Sequence, residues 1–216
     1  MDQFQEMRER LYSAVVSDAL DSLGFHSQSP RIALTPMTCP SLVLVGRCKT
    51  TLWEDIYTED PNPYELELLA VDQCQPGDVF IAAANGSTRS GIWGELLTTA
   101  SLNSGCAGVI TDGAVRDVAA IDEIGFPVFA AGTSVYDSLH RQRVVKIDVP
   151  VTIGEVEFCP KDLVIADRDG IVVVPAPVEE EAIRRAFEKV DGENRTRDAI
   201  RNGMKATDAY KKYGVL

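Results

Sequence analysis

Histidine is nearly absent from this sequence: His26 and His140 are the only two in 216 residues. A zinc site built on several imidazoles is therefore not expected, and both side chains read as structural or exposed. The five cysteines are scattered, odd in number and nowhere spaced as CxxC. They suggest neither a disulfide frame nor a zinc knuckle, and read as small apolar residues or idle thiols. The phosphate loop GxxxxGK[ST] and a strand-borne GxGxxG are both missing, which removes support for nucleotide chemistry and for Rossmann-type methyl transfer. The stretch GSTRSG at 86–91 lacks the GxSxG spacing of a hydrolase elbow.

Long apolar runs are lacking too. None approaches the roughly 20 residues of a membrane span, and the first ten residues are polar, without the apolar centre of a signal peptide. A cytoplasmic protein is expected, without membrane contact. Basic clusters are missing while the net charge is −12. Such a surface repels phosphate backbones and anionic lipid. The densest basic stretch, Arg195, Arg197 and Arg201, is interleaved with Glu193 and Asp198 and reads as a solvated helix face. Nucleic acid is not an expected partner.

What is present is an ordinary globular composition, 45% hydrophobic and 25% charged, with no internal repeat and no Gly/Ser or Pro tract to divide it. One domain over 1–216 is expected. Residues 4–23 read as two short helices, the second capped by Ser17 and closed by Gly24. A strand is expected at 42–52, a helix at 64–74, and a strand at 79–84 after the turn at Pro76 and Gly77. The middle then alternates: helix 93–103, strand 108–111, a turn at Asp112 and Gly113, helix 117–124, strand 128–130. Consecutive strands joined by turn residues fill 144–174, a helix covers 179–190, and a polar helix reaches Tyr213. Parallel units followed by a β-rich return predict an α/β domain whose sheets pack with helices, rather than a closed barrel.

Candidate chemistry sits at element boundaries. In GVITDGAVRD, an apolar strand runs through a glycine into Arg116 and Asp117 at a helix start, the end of a strand where α/β folds place ligands. Asp117 suits either of two tasks, holding a largely hydrated Mg²⁺ or Mn²⁺ or capping free amides of its own helix. Arg116 offers a permanently charged fork for a carboxylate or enolate oxygen. In GIWGELL, Gly94 precedes a first turn whose Glu95, Leu96 and Leu97 amides lack intrahelical partners and suit an anionic group. The Glu95 carboxylate either acts on a substrate through water or complements the helix dipole. Lys146 alternates with apolar neighbours and is expected to face solvent, which argues against imine chemistry.

The segments WGELLTTA, GCAGVITDGAVRD, GFPVFAAG, DLVIADRDGIVVVP and AYKKYGVL, with VSDALDSLG near the start, resemble the RraA-like and 4-hydroxy-4-methyl-2-oxoglutarate aldolase family over nearly the whole chain. The resemblance implies an α-β-β-α layered sandwich of the swivelling β/β/α type. It implies a class II aldolase that releases pyruvate from a small 2-oxo acid such as 4-hydroxy-4-methyl-2-oxoglutarate or 4-carboxy-4-hydroxy-2-oxoadipate, often with oxaloacetate decarboxylase activity. Carried onto this sequence, it makes Asp117 the Mg²⁺ (or Mn²⁺) ligand and Arg116 the group on the pyruvoyl oxygen. The Leu96 and Leu97 amides then hold the substrate carboxylate, with Glu95 near metal-bound waters. Asp18 and Glu193 complete the site, Glu193 from a neighbouring subunit, which implies a homotrimer or hexamer with sites at subunit interfaces.

The same family includes RraA itself, a regulator that binds and inhibits ribonuclease E. Two positions depart from the aldolase pattern. Ala120 stands where an acidic residue often follows the metal-ligating Asp by three, with Asp122 two residues further on, and Glu95 is longer than the aspartate of some members. Both bear on the substrate more than on the metal.

Overall fold

The computed structural model describes residues 4–215. Two short helices, α1 (Gln5–Arg10) and α2 (Ser13–Asp21), precede strands β1 (Thr35–Pro36) and β2 (Leu44–Asp55). Then follow α3 (Glu65–Asp72), β3 (Asp78–Ala83), β4 (Gly91–Trp93), α4 (Glu95–Asn103), β5 (Gly108–Val115), α5 (Val118–Ile124) and β6 (Val128–Thr133). The β-rich return comprises β7 (Gln142–Ile147), β8 (Val151–Ile153), β9 (Val156–Phe158), β10 (Leu163–Ala166) and β11 (Ile171–Val174). Helices α6 (Glu179–Arg201) and α7 (Ala206–Tyr213) complete the chain.

The main sheet follows the order β1-β6-β5-β3-β2-β10-β11, with β4 also paired to β5 and β7 to β2. Its centre, β2, β3, β5 and β6, is parallel, because each strand returns through a helix. The later strands pair antiparallel, β10 with β11 through a short turn and both β7 and β10 back onto β2. Strands β3 and β5 are buried at every position, as expected where both faces are covered. One face carries α3, α4 and α5 over a core that includes Trp53, Phe80, Trp93 and Phe126. The opposite face is closed by the β8–β9 hairpin, which contributes Val151, Ile153, Val156 and Phe158. Helices α1, α2 and α6 share a third core with β2, β10 and β11. The outcome is the mixed, layered α/β architecture that the pattern predicted.

Four boundaries differ from the sequence reading. Asp112 and Gly113 form no turn. They lie inside β5, where the register to β6 shifts between Thr111 and Ala114, and the strand runs on to Val115. The buried Asp112 carboxylate accepts from the amides of Ala84 and Gly86, so this bulge anchors the loop after β3. Trp93 belongs to β4 and not to the following helix. Helix α2 starts at Ser13 instead of Ser17, because Asp167 accepts from both the Ser13 amide and its hydroxyl at 2.6 Å. Helix α6 continues past Val190 to Arg201, and its buried Gly192 leaves room for Val215.

Candidate functional site

The parallel arrangement delivers Arg116 and Asp117 just past the end of β5, beside the start of α4. The Arg116 amide bonds the Trp93 carbonyl at 2.8 Å, which fixes the segment against β4. Asp117 occupies the N-cap position of α5 in the left-handed region, with φ 57°, yet makes no side-chain bond to that helix. Its Oδ2 instead accepts from the Glu95 amide at 3.2 Å, at the N-terminus of α4. Of the two tasks open to Asp117, capping is thus real but directed at a different helix. The amides of Leu96 and Leu97 lie in that same first turn, where helix geometry provides no acceptor.

Gly94 is needed here for space. Its backbone is extended, but a Cβ would lie 2.7 Å from Asp117 Oδ2 and 3.2 Å from Arg116 Cγ. The Glu95 side chain accepts from Thr99 on its own helix at 2.8 Å. Leu96 is 79% exposed at the rim. Lys146 is exposed, as its alternation predicted.

Arg116 is held from its other side by Asp137, whose Oδ2 lies 2.7 Å from Nη2. Asp137 also accepts from the Tyr64 hydroxyl and the Leu139 amide, both at 2.7 Å. Burial alone raises the Asp137 carboxyl, but these hydrogen bonds and the Arg116 charge outweigh it and hold it below its ordinary value. Burial, then the bond to Asp137, pushes the Tyr64 hydroxyl up to about 12. Tyr64 itself adopts the left-handed backbone region, φ 66°. Together with Glu67, Gly94, Leu97 and Arg116, these residues line a cleft of about 280 Å³.

Sequence reasoning missed Tyr64, Glu67 and Asp137. Tyr64 and Glu67 sit at i and i+3, one face of a helix start, but nothing local marks that face as a cleft wall. Asp137 lies in the connection between β6 and β7, and only the fold brings it to Arg116.

Asp18 and Glu193 form a second cluster. Asp18 pairs with Lys189, while Glu193 accepts from the Tyr12 hydroxyl and lies 3.7 Å from Arg197. Burial, followed by the bond to Glu193, raises Tyr12 to about 12. Among the described residues, no hydrogen bond or ion pair joins this α2–α6 cluster to Arg116 or Asp117 within the chain.

Among the described residues, no three His, Cys, Asp or Glu side chains are grouped to hold a metal. Asp117 is 47% exposed at its side chain and opens onto a shallow depression shared with Glu95 and Glu123. One exposed carboxylate with further carboxylates nearby fits a hard dication that keeps most of its waters.

A family model described as RraA-like, Aldolase/RraA, matches residues 13–173. A Halalkalibacterium halodurans protein, provisionally named a 4-hydroxy-4-methyl-2-oxoglutarate aldolase, is 35% identical over 144 residues, 66% of this chain and 68% of its own. Protein DlpA of Legionella pneumophila is 28% identical over 210 residues, 93% of this chain, which spans only 32% of that protein. The structure of Streptomyces coelicolor RraAS2, described as an unusual member of the RNase ES inhibitor RraA protein family, is similar with a TM-score of 0.77 and 30% identity. The likeness covers 89% of this chain and 96% of that one. Among the described residues, no helix is long and apolar enough to cross a membrane.

Proposed function

Because the chain belongs to the RraA-like family, we propose that it is a divalent-metal-dependent carbon–carbon lyase that releases pyruvate from a 4-hydroxy-2-oxo acid. The substrate class is that of 4-hydroxy-4-methyl-2-oxoglutarate, and oxaloacetate decarboxylation accompanies it. The observation that carries this reading is the guanidinium of Arg116, steadied by Asp137 at 2.7 Å and set beside the Asp117 carboxylate at the start of α4.

Breaking the bond beta to a ketone leaves an electron pair on the pyruvate enolate, and stabilising that charge lowers the barrier. Arg116 binds the 2-oxo oxygen with a planar fork that Asp137 orients in advance. The Leu96 and Leu97 amides hold the substrate carboxylate at the positive end of α4. Asp117 would hold Mg²⁺ or Mn²⁺, which would supply Lewis-acid stabilisation of the same developing charge. Glu95 acts through water at the cleft edge. Asp18 and Glu193, which no hydrogen bond or ion pair joins to Arg116 among the described residues, complete the site, Glu193 from a neighbouring subunit in a homotrimer or hexamer.

The test is pyruvate release from 4-hydroxy-4-methyl-2-oxoglutarate and from oxaloacetate, coupled to lactate dehydrogenase. Turnover with Mg²⁺, its loss in EDTA and its return with added metal are expected. Pyruvate release indifferent to chelation, or none from either substrate, overturns the reading.

A second reading is favoured by the net charge of −12 and the likeness to RraAS2. In it, the acidic surface holds a basic partner such as ribonuclease E and no catalysis occurs. Chelation leaves that activity untouched, so the same EDTA comparison separates the two.

A further inference from the structure

One carboxyl of the cleft has no task in the chemistry described so far. Glu67 lies on α3 one turn beyond Tyr64, is 6% exposed, and lines the cleft shared by Arg116, Asp137 and Gly94. Its carboxyl makes no hydrogen bond and no ion pair among the described residues, in contrast to Asp137 with three partners. An ionised carboxylate so buried and so poorly partnered is expensive, and the negative charge of Asp137 adds to that cost. Burial first, then Asp137, pushes Glu67 up to about 8 against the opposing pull of Arg116. At neutral pH the side chain is therefore a carboxylic acid with an O–H to donate and no acceptor among the described residues.

The surrounding charges leave that state intact. On its own helix Tyr64 donates to Asp137 and not to Glu67. Across an adjoining cleft on the far side of Glu67 stand Glu65, Asp60 and Arg143, the last two 3.8 Å apart. Helix α4, which packs on α3, has Glu95 as its one titratable side chain, and that bonds Thr99.

The lyase reading needs such a donor, and this inference rests on that reading. We propose that Glu67 is the acid that protonates the enolate carbon to give the methyl group of pyruvate. When the bond between C3 and the departing carbon breaks, its electron pair passes into the enolate and the departing fragment leaves as CO₂ or a carbonyl compound. The enolate pair then takes the Glu67 proton to form the new C3–H bond, leaving Glu67 as a carboxylate. In decarboxylation Glu67 recovers its proton from solvent. In aldol cleavage the proton lost by the 4-hydroxyl restores it through water.

The test combines two readouts on the Mg²⁺-loaded protein: exchange of the pyruvate methyl protons in D₂O, followed by proton NMR, and the kcat and KM of oxaloacetate decarboxylation. Glu67→Gln is a near-isostere of the neutral acid and keeps the fold. It is expected to lower both the exchange rate and kcat by about 100-fold or more while leaving KM little changed. Wild-type kcat falls as pH rises above the Glu67 titration, and the residual rate of Glu67→Gln loses that limb. Glu67→Asp, which keeps an acid on a shorter stem, recovers part of the exchange and the alkaline limb.

Unchanged exchange in Glu67→Gln overturns the proposal. A raised KM with exchange intact also overturns it, assigning Glu67 to binding the distal part of the substrate. Absence of both exchange and decarboxylation in the wild-type protein removes the lyase reading itself, and with it this step.

Discussion

Asp117 caps a helix to which it does not belong: its Oδ2 accepts the amide of Glu95, the first residue of α4, at 3.2 Å, and leaves its own helix α5 without a side-chain cap. This single bond ties the strand-end segment of β5 to the helix whose amides face the cleft. It gives Asp117 a structural and a chemical task that substitution can separate.

Asp117→Asn keeps an acceptor oxygen for the Glu95 amide but removes the charge that holds a dication. Its melting temperature is expected to stay near wild type, while metal-dependent pyruvate release is lost. Asp117→Ala loses both, with a stability cost of about 1 kcal/mol by chemical denaturation. Full pyruvate release by either variant would refute the metal role.

Arg116→Lys preserves the charge and discards the planar fork. Turnover is expected to fall about 100-fold or more, since a point charge cannot both pair with Asp137 and hold the 2-oxo oxygen. Steady-state kinetics on oxaloacetate check this, and retained kcat removes Arg116 from enolate stabilisation.

Asp137→Asn weakens the hold on Arg116. A loss of about 10–100-fold in kcat/KM is expected, the range seen when a supporting partner of a site residue is removed. Because its hydrogen bonds and Arg116 keep Asp137 below its ordinary value, the stability it contributes is present above that ordinary value and is lost as pH falls through the folded one. Wild type and Asp137→Asn should therefore converge in stability in acid, measured by urea denaturation.

Gly94→Ala introduces a methyl group 2.7 Å from Asp117 Oδ2. The carboxylate and the Arg116 stem must give way, at a cost of about 1–3 kcal/mol. Turnover drops with the misplacement, by about 100-fold. Wild-type activity in this variant would show that the spacing of Gly94 and Asp117 is not used in catalysis.

Glu67→Gln also has a stability signature independent of turnover. The folded protein keeps Glu67 neutral up to about pH 8, whereas the unfolded chain ionises it at the ordinary 4.5. Its contribution is full below pH 4.5 and is lost as pH rises toward 8. The glutamine variant is accordingly more stable than wild type at pH 9, by up to roughly 5 kcal/mol, and the gap closes in acid. Equal stability at both pH values would mean that Glu67 is not held neutral.

The sequence by itself determined the types and order of the longer elements, but not the short strands β1 and β4. Apolar runs bounded by Gly and Pro marked β2, β3 and β6, and periodic apolar positions marked α3 and α4, because burial periodicity is a local property of the chain. It also set Arg116 beside Asp117 at a strand-to-helix boundary, while the α4 amides were joined to them only by the family resemblance. What it misjudged were ends and partners. Asp112 and Gly113 read as a turn, but the neighbouring strands hold them in β5 as a bulge. Ser17 read as a cap, but Asp167, distant in sequence, supplies the cap at Ser13. Only the tertiary structure decided that Asp117 caps α4, that Asp137 and Tyr64 steady Arg116, and that Glu67 is buried without a partner among the described residues. These depend on which distant segments meet and how much water is left between them, and neither quantity is encoded in local spacing.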